Sequence, residues 1–120
     1  MNLSEIRTIL NAVVLTDEDA LQKVVACAYC ADLMSDVLSF SVTNSLLITG
    51  LTNTQVIRTA EMADLPAILF VRGKFPPPET LQLAQELGIA VMVSPYRMFD
   101  CCGRLFQAGL RGLGKVKNAP

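Results

Sequence analysis

The sequence contains no histidine and no tryptophan, and aromatic residues make up 6% of its 120 residues. Without histidine, Ser-His and Cys-His nucleophile pairs cannot form, and the commonest zinc ligand is missing. An excess of charge of one sign is also missing, because ten Lys and Arg stand against eleven Asp and Glu. Nucleic-acid binding depends on many cations, so the net charge of −1 predicts no nucleic-acid partner.

The sequence also lacks an apolar run that could span a membrane. Residues 37–57 carry no charge, but Ser, Thr, Asn and Gly interrupt them throughout. The first ten residues, MNLSEIRTIL, include Glu5 and lack the basic start of an export signal. Four cysteines in such a chain predict reduced thiols, so we expect a cytoplasmic protein without membrane contact.

The length predicts one domain, which at 120 residues can bury a core without disulfides or a metal. Hydrophobic residues make up 52% of the chain, which fits a sheet covered on both faces or a subunit that buries a surface against a partner. We expect the domain to cover residues 1–110. Residues 111–120 contain Arg111, Lys115 and Lys117 without an acid, and they predict a basic, flexible tail.

Strand and helix patterns alternate along the chain. Ser4 is a candidate N-cap of a first helix, and the pair Ser94-Pro95 is a candidate start of the last one. Strands are predicted over 12–15, 23–29, 46–48, 67–71 and 89–93, and helices over 4–10, 32–38, 54–63, 78–88 and from 94 onward. This order predicts an α/β fold, with a mostly parallel sheet of about five strands and helices on both faces.

Three strand-to-helix loops are predicted to share the carboxyl edge of this sheet, where open α/β sheets bind ligands. Their candidate ligand-binding residues are Thr49, Gly50, Thr52, Asn53, Arg72, Gly73, Lys74, Ser94 and Tyr96. The loop at Gly50 can be an anion site at a helix N-terminus, or simply a cap and a tight turn. It lacks a Walker lysine, so nucleoside triphosphate chemistry has no support. Arg72 is the residue that we expect to hold a phosphate or carboxylate, ahead of Lys74.

The stretch CAYCADLMSDV, residues 27–37, opens with a C-x-x-C pair, Cys27 and Cys30. Structural thiols are the leading interpretation, and a redox pair or a metal site is the alternative. Asp32 and Asp36 stand four residues apart, so on a helix they share one face. With Ser35 they either form a solvated surface or line a ligand or metal site.

Two thiols near the carboxyl end, Cys101 and Cys102, are the other cysteines of the chain. Cys102 recurs at helical spacing with apolar residues of the last predicted helix, and we expect it in the core. A four-ligand zinc site would need both of these cysteines as well as the C-x-x-C pair.

Several stretches together resemble the DRTGG domain family, in particular its small stand-alone members. They are LLITGLTNTQVIRTAEMADLPAILFVRG, PPPETLQLAQELGIAVMVSPYRMFDCCGRLFQAGL and, upstream, ADLMSDVLSF. The resemblance covers nearly the whole chain and extends to the amino-terminal domain of HPr kinase/phosphorylase. It implies a compact α/β regulatory module that tends to dimerise and has no settled chemistry of its own. The name-giving residues differ here, because Leu51-Thr52 follows Gly50 and Val71-Arg72-Gly73 replaces Thr-Gly-Gly.

These observations predict a small cytoplasmic regulatory or ligand-binding module that is homodimeric, non-catalytic and free of cofactors. We expect an anionic metabolite or a nucleotide at the carboxyl edge, and Asp32, Ser35 and Asp36 nearby. One alternative is a thiol redox or metal-binding protein that uses Cys27 and Cys30. The other is a pure interaction module that docks on a partner enzyme or regulator.

Overall fold

A computed structural model describes residues 1–117. Its elements, in chain order, are α1 (Leu3–Leu10), β1 (Val13–Val14), a 3-10 helix (Glu18–Gln22), β2 (Cys27–Cys30), α2 (Met34–Phe40), β3 (Ser45–Thr49), α3 (Thr54–Met62), β4 (Ala67–Phe70), α4 (Pro78–Leu87), β5 (Ala90–Val93) and α5 (Met98–Gln107). Among the residues described, no helix combines the length and the apolar character needed to cross a membrane.

The five strands form one sheet in the order β1-β5-β4-β3-β2. Strands β2, β3, β4 and β5 are parallel, and β1 joins β5 as an antiparallel edge strand. The register sets Leu46 opposite Ala67, and Ala67 opposite Ala90. Each step from β3 to β5 crosses over through one helix, as parallel neighbours require. The predicted α/β fold with a mostly parallel sheet is therefore confirmed.

Both faces of the sheet are buried, because successive strand residues point to opposite sides. Leu46 and Ile48 pack on the side of α1 and α5. Leu47, Ile68 and Phe70 pack on the side of α2, α3 and α4. Every residue of β3, β4 and β5 is buried, which explains why these strands are continuous apolar runs in the sequence.

The second strand begins later than the pattern predicts, at Cys27 rather than at residue 23. The preceding residues pair with the amino terminus instead of with β3. The Leu3 amide donates to the Lys23 carbonyl at 3.0 Å, and the Val25 amide donates to the Met1 carbonyl at 2.9 Å. These contacts link segments 20 or more residues apart, which a local pattern does not reveal.

Helix α2 also begins later than predicted, with Leu33 as its N-cap. Asp32 therefore precedes the helix, while Asp36 lies in its first turn. The prediction that Asp32 and Asp36 share one helical face is wrong. The backbone at the N-cap, Leu33, is extended, so Asp32 lies in the loop after β2 while Asp36 lies in α2.

Two predicted helix starts are also wrong. The N-cap of α1 is Asn2 rather than Ser4, and its side chain accepts the Glu5 amide at 2.8 Å within a capping box. Helix α5 starts at Met98 with Arg97 as N-cap, rather than at Ser94. Ser94 instead lies buried under α1, where its hydroxyl donates to the Leu10 carbonyl at 2.8 Å.

The chain beyond α5 first runs beside β2. The Ala28 amide donates to the Arg111 carbonyl at 3.0 Å, and the Arg111 guanidinium lies 4.1 Å from the centre of the Phe106 ring. Residues 111–117 are exposed. The last part of the predicted tail, residues 118–120, lies outside the described residues.

Candidate functional site

The carboxyl ends of the parallel strands meet at one edge, and backbone hydrogen bonds tie the loops that follow them. The Arg72 amide, after β4, donates to the Tyr96 carbonyl at 2.7 Å, after β5. The Gly73 amide donates to the Ser94 carbonyl at 2.8 Å. These bonds fix the loop after β4 against the loop after β5, as the predicted topology requires.

A carboxylate connects the loop after β2 with the loop after β3. Asp32 Oδ1 accepts the Gly50 amide at 2.8 Å and the Thr49 hydroxyl at 2.9 Å. The Thr49 hydroxyl in turn accepts the Leu51 amide at 3.2 Å. The Gly50 amide is thus bound to an acid of the protein itself, and it is not free to bind an external anion in this arrangement.

Arg72 lies in a tight turn with an uncommon backbone. The Lys74 amide donates to the Val71 carbonyl at 3.1 Å, and both central residues are left-handed, with φ 51° at Arg72 and 65° at Gly73. Glycine adopts this conformation freely, but an arginine there costs on the order of 1 kcal/mol. A strained residue at the edge of a sheet motivates a functional hypothesis for Arg72.

The Arg72 side chain reaches across to Gly50. A Cβ atom added to Gly50 would lie 3.6 Å from Arg72 Nη2 and 3.7 Å from Asp32 Oδ1. The φ of Gly50 is not positive, so its backbone does not require glycine. What glycine provides here is room beside the guanidinium. Within residues 1–117, Arg72 makes no ion pair within 4.0 Å.

An aromatic ring borders the same edge. The Arg104 guanidinium lies 4.0 Å from the centre of the Tyr96 ring, a cation–π arrangement between α5 and the loop before it. Sequence reasoning missed Arg104, because its orientation depends on where α5 begins. The signal available in the sequence was that Arg104 is a basic residue within the last predicted helix.

Most of the chain matches the model of a known domain family. The family model of the DRTGG domain matches residues 5–108. The chain belongs to the DRTGG domain family. The predicted family membership is thereby confirmed over nearly the whole sequence.

A solved structure shows the same fold. It is the crystal structure of the CBS and DRTGG domains of the regulatory region of Clostridium perfringens pyrophosphatase, complexed with its activator, diadenosine tetraphosphate. The TM-score is 0.69 at 15% sequence identity, and the match covers 96% of this chain and 52% of that one. This DRTGG domain therefore spans about half of the matched structure. A comparison with curated proteins found no match.

Several predicted site residues of this DRTGG domain have structural partners. The Ser94 hydroxyl is fully buried, and besides donating to the Leu10 carbonyl it accepts the Tyr96 amide at 3.1 Å. Asn53 caps α3 by accepting the Val56 amide at 3.3 Å. The Ser94 side chain is thus enclosed by the protein, whereas Asn53 is exposed at the edge. Thr52 is half-buried in the same loop as Asn53, and Lys74 is exposed.

Ser35 and Asp36 lie in the first turn of α2, directly after the loop that carries Asp32. No hydrogen bond or ion pair found in residues 1–117 joins them to Asp32 or Gly50. Asp36 instead lies near Tyr29, where burial raises the pKa of the phenol and the Asp36 carboxylate raises that pKa further. Of the three predicted polar residues in this stretch, Asp32 is the one that bonds to the Gly50 loop within residues 1–117.

The C-x-x-C pair does not form a joint site in this DRTGG domain. Cys27 and Cys30 stand three residues apart on β2, so their side chains point to opposite faces of the sheet. Their Cα atoms are roughly 10 Å apart, beyond the reach of a disulfide. The part of the chain that the structure describes contains no metal-binding group of three His, Cys, Asp or Glu. The alternative built on this pair is therefore wrong.

Cys30 has another thiol as its neighbour. Interaction with the Cys30 thiol lowers the pKa of Cys102 to about 7. The same interaction, with burial, raises the pKa of Cys30. Cys101 rather than Cys102 is the buried thiol of α5, and Cys102 is half-buried beside the core. Sequence reasoning missed this pair, because it joins β2 to α5.

A groove of about 630 Å³ lies at the opposite, amino edge of the sheet. Asp17 and Asp19 line it together with Lys23. The Lys23 ammonium is engaged with the protein, because it donates to the Gly88 carbonyl at 2.5 Å and the Pro66 carbonyl at 3.3 Å. The cation of this groove therefore caps the end of α4.

Proposed function

We propose that this DRTGG domain is a regulatory module that binds a nucleotide or another anionic metabolite at the carboxyl edge. The observation that carries the proposal is the Arg72 guanidinium, which lies over Gly50 without an ion pair in residues 1–117. An exposed arginine in a strained turn, next to a glycine that leaves its guanidinium uncovered by a side chain, is suited to bidentate binding of a phosphate or carboxylate.

The cations that follow strands β4 and β5 support a negative ligand. They are Arg72, Lys74, Arg97 and Arg104, while the Asp32 carboxylate is bound by Gly50 and Thr49. Acids also stand in the first turns of the adjoining helices, at Asp36, Glu79 and Asp100, so the support comes from the position of Arg72 and not from a net positive charge. Arginine is the preferred phosphate ligand where planar, bidentate geometry matters.

The stacked pair of Tyr96 and Arg104 supports a nucleotide in particular. A nucleobase stacks on aromatic rings and guanidinium planes, typically for about 1–3 kcal/mol per base. The matched pyrophosphatase region carries diadenosine tetraphosphate as its activator. At 15% identity that structure makes dinucleotides the first class to test, and it does not assign the ligand here.

We further propose that the domain is non-catalytic, cytoplasmic and homodimeric, and that it covers residues 1–110. The edge has no histidine, and its carboxylate is engaged by backbone and hydroxyl donors, so it lacks an evident general base. The dimer is supported by exposed aromatics on α5, where Phe99 is 86% exposed and Phe106 follows two turns later. Light scattering tests it, with Phe99→Asp expected to give the monomer mass. A wild-type monomer at micromolar concentration contradicts this part.

Isothermal titration calorimetry tests the ligand proposal. The purified chain is titrated with diadenosine tetraphosphate, ATP and AMP, and at least one is expected to bind with micromolar affinity. Arg72→Ala should weaken that binding about 10- to 100-fold, the scale of 1.4 to 2.8 kcal/mol. Arg58→Ala, which removes an exposed arginine from α3, is the charge-matched control and should leave affinity unchanged. Absence of binding, or equal losses in both variants, contradicts the proposal.

The second candidate is an interaction module that docks on a partner enzyme or regulator without a small ligand. The exposed α5 aromatics favour it as much as they favour a dimer. A broad thermal-shift screen of phosphorylated metabolites separates the two. A ligand stabilises the folded state by mass action, whereas a pure docking module gives no shift.

A further inference from the structure

Asp32 and Arg72 carry opposite charges and lie beside the same glycine without forming an ion pair. Both residues are exposed, whereas Gly50 is buried. A Cβ atom added to Gly50 would lie 3.7 Å from Asp32 Oδ1 and 3.6 Å from Arg72 Nη2, yet within residues 1–117 no ion pair within 4.0 Å includes Arg72. The gap between the guanidinium and the carboxylate is therefore wider than an ion pair and narrower than these two contacts added together.

One carboxylate oxygen of Asp32 makes both hydrogen bonds that hold the loop after β3. Oδ1 accepts the Gly50 amide and the Thr49 hydroxyl, whereas no donor to Oδ2 is found in residues 1–117. A carboxylate offers about four lone-pair positions, so Oδ2 can accept further hydrogen bonds. Because Asp32 is exposed, Oδ2 is available to a ligand.

The loop itself does not require a negative charge at Asp32. The carbonyl oxygen of an asparagine could accept the same two bonds from Gly50 and Thr49. A carboxylate near Arg72 is also unfavourable for a ligand that is only an anion, since like charges repel. The charge and the second oxygen of Asp32 therefore need a ligand group other than the anion.

A ligand that carries a hydroxyl group close to its phosphate suits both side chains at once. Phosphate oxygens accept hydrogen bonds from a guanidinium, and a hydroxyl donates to a carboxylate. In a sugar phosphate these two groups lie a few bonds apart, which fits the short gap between Arg72 and Asp32. In open α/β sheets that bind dinucleotides, an acidic side chain binds a ribose hydroxyl in the same manner.

We propose that Asp32 accepts a sugar hydroxyl of the ligand through Oδ2 while Arg72 binds the phosphate, so that the carboxyl edge selects phosphorylated sugars over anions without hydroxyl groups. This inference rests on the proposed function, because it names the ligand class of the same anion site. The sugar is either a free sugar phosphate or the ribose of a nucleotide, since both present the same two groups. Asp32 is then the residue that determines specificity, and Arg72 is the anion contact.

Matched pairs of ligands test the hydroxyl contact on the wild-type chain. Isothermal titration calorimetry compares ATP with dideoxy-ATP, which lacks both ribose hydroxyls, and ribose 5-phosphate with its dideoxy analogue. The hydroxylated member of at least one pair should bind about tenfold more tightly, as expected for a hydrogen bond to a charged acceptor. A preference confined to ATP identifies a nucleotide, whereas a preference for ribose 5-phosphate shows that the sugar phosphate suffices.

Asp32→Asn tests the residue. Its carbonyl oxygen should still accept the two loop bonds, which places an amide donor where Oδ2 accepted. The preference for the hydroxylated ligand should disappear, while the affinity for tripolyphosphate, which carries no sugar, should not fall. Asp36→Asn is the matched control and should keep the preference, since Asp36 makes no bond to the Gly50 loop within residues 1–117.

The possible failures separate this inference from the proposed function. If no nucleotide, no sugar phosphate and no tripolyphosphate binds, the proposed function is wrong and the inference is wrong with it. If these anions bind and Arg72→Ala weakens them, but the wild type shows no hydroxyl preference, the inference alone is overturned. It is also overturned if Asp32→Asn keeps the preference, or if Asp36→Asn loses it to the same extent.

Discussion

The Gly50 amide donates to Asp32 Oδ1 at 2.8 Å, so the loop after β3 is held by an acid from the loop after β2. The Thr49 hydroxyl donates to the same oxygen at 2.9 Å. One exposed carboxylate thereby satisfies two polar groups of buried residues. Buried donors of this kind destabilise a fold when their acceptor is removed.

Asp32→Ala should lower the free energy of unfolding by about 1 to 2 kcal/mol, because the Gly50 amide and the Thr49 hydroxyl lose their acceptor. Asp32→Asn keeps a carbonyl oxygen in place, so its loss should be smaller. Urea unfolding measures both variants. Asp36→Ala serves as the matched control, since Asp36 makes no such bond in residues 1–117, and it should change stability by less than about 0.5 kcal/mol. Equal losses at the two positions would show that the carboxylate does not hold the loop.

Gly50→Ala should affect ligand binding more than stability. The added methyl group meets Arg72 and Asp32 at 3.6 and 3.7 Å, which is ordinary contact, and the backbone is not left-handed. The free energy of unfolding should therefore change by less than about 1 kcal/mol. Nucleotide affinity should fall about tenfold or more, because the methyl group fills the space beside the guanidinium.

Gly103→Ala is the control for that substitution. Gly103 lies in α5 and has nothing within 4 Å of an added Cβ, so alanine should stabilise the helix by about 0.5 to 1 kcal/mol. Nucleotide affinity should remain that of the wild type. A Gly50→Ala protein that binds with unchanged affinity would move the ligand away from this loop.

The central fold was predictable from the sequence because its signals are local. Strands β3, β4 and β5 are buried on both faces, so they appear as uninterrupted apolar runs. Helix α4 starts at Pro78 and ends before Gly88, a left-handed C-cap, as the proline and the glycine at these positions predict. The order of these elements then defines the carboxyl edge without further information.

The errors occurred where distant segments compete with the local signal. Residues 23–25 pair with the amino terminus, and Ser94 is bound by the Leu10 carbonyl instead of capping α5. The same limit applies to the site. Topology predicted that the loops converge, but the contact of Arg104 with Tyr96 depends on side-chain orientation across elements, and so does the pairing of Cys30 with Cys102.

Replacing Arg72 by glycine or by alanine should separate its backbone from its side chain. Both substitutions remove the guanidinium, so both should weaken nucleotide binding equally. Glycine adopts the left-handed φ of 51° without the steric cost that alanine retains. Arg72→Gly should therefore be more stable than Arg72→Ala by about 1 kcal/mol in urea unfolding.

Lys74 is the control position for the glycine and alanine substitutions of Arg72, since it is exposed in the same turn and its φ is not positive. At that position alanine should be at least as stable as glycine, because glycine loses more backbone entropy on folding. If Arg72→Gly is not more stable than Arg72→Ala, the backbone of Arg72 is not strained. The same conclusion follows if glycine is favoured to the same extent at Lys74.

The shifted pKa values of Cys30 and Cys102 predict a specific pH dependence of the free energy of unfolding under reducing conditions. Cys102 has a folded-state pKa lowered to about 7, so its contribution to stability is lost as pH falls through 7 and is full above the pKa of an unfolded thiol. Cys30 has a raised pKa, so its contribution is full below the unfolded value and is lost at higher pH. Stability should thus rise from about pH 7 toward about pH 9 and fall beyond it.

Iodoacetamide modification of reduced protein measures the same pair directly. Cys102 should react half-maximally near pH 7, because the thiolate is the reactive form. In Cys30→Ala the donor to that thiolate is gone, so the midpoint should move upward toward that of an ordinary thiol. Cys27→Ala, on the other face of β2, should leave the midpoint unchanged. A Cys102 midpoint that is the same in the wild type and in Cys30→Ala would contradict the pairing of the two thiols.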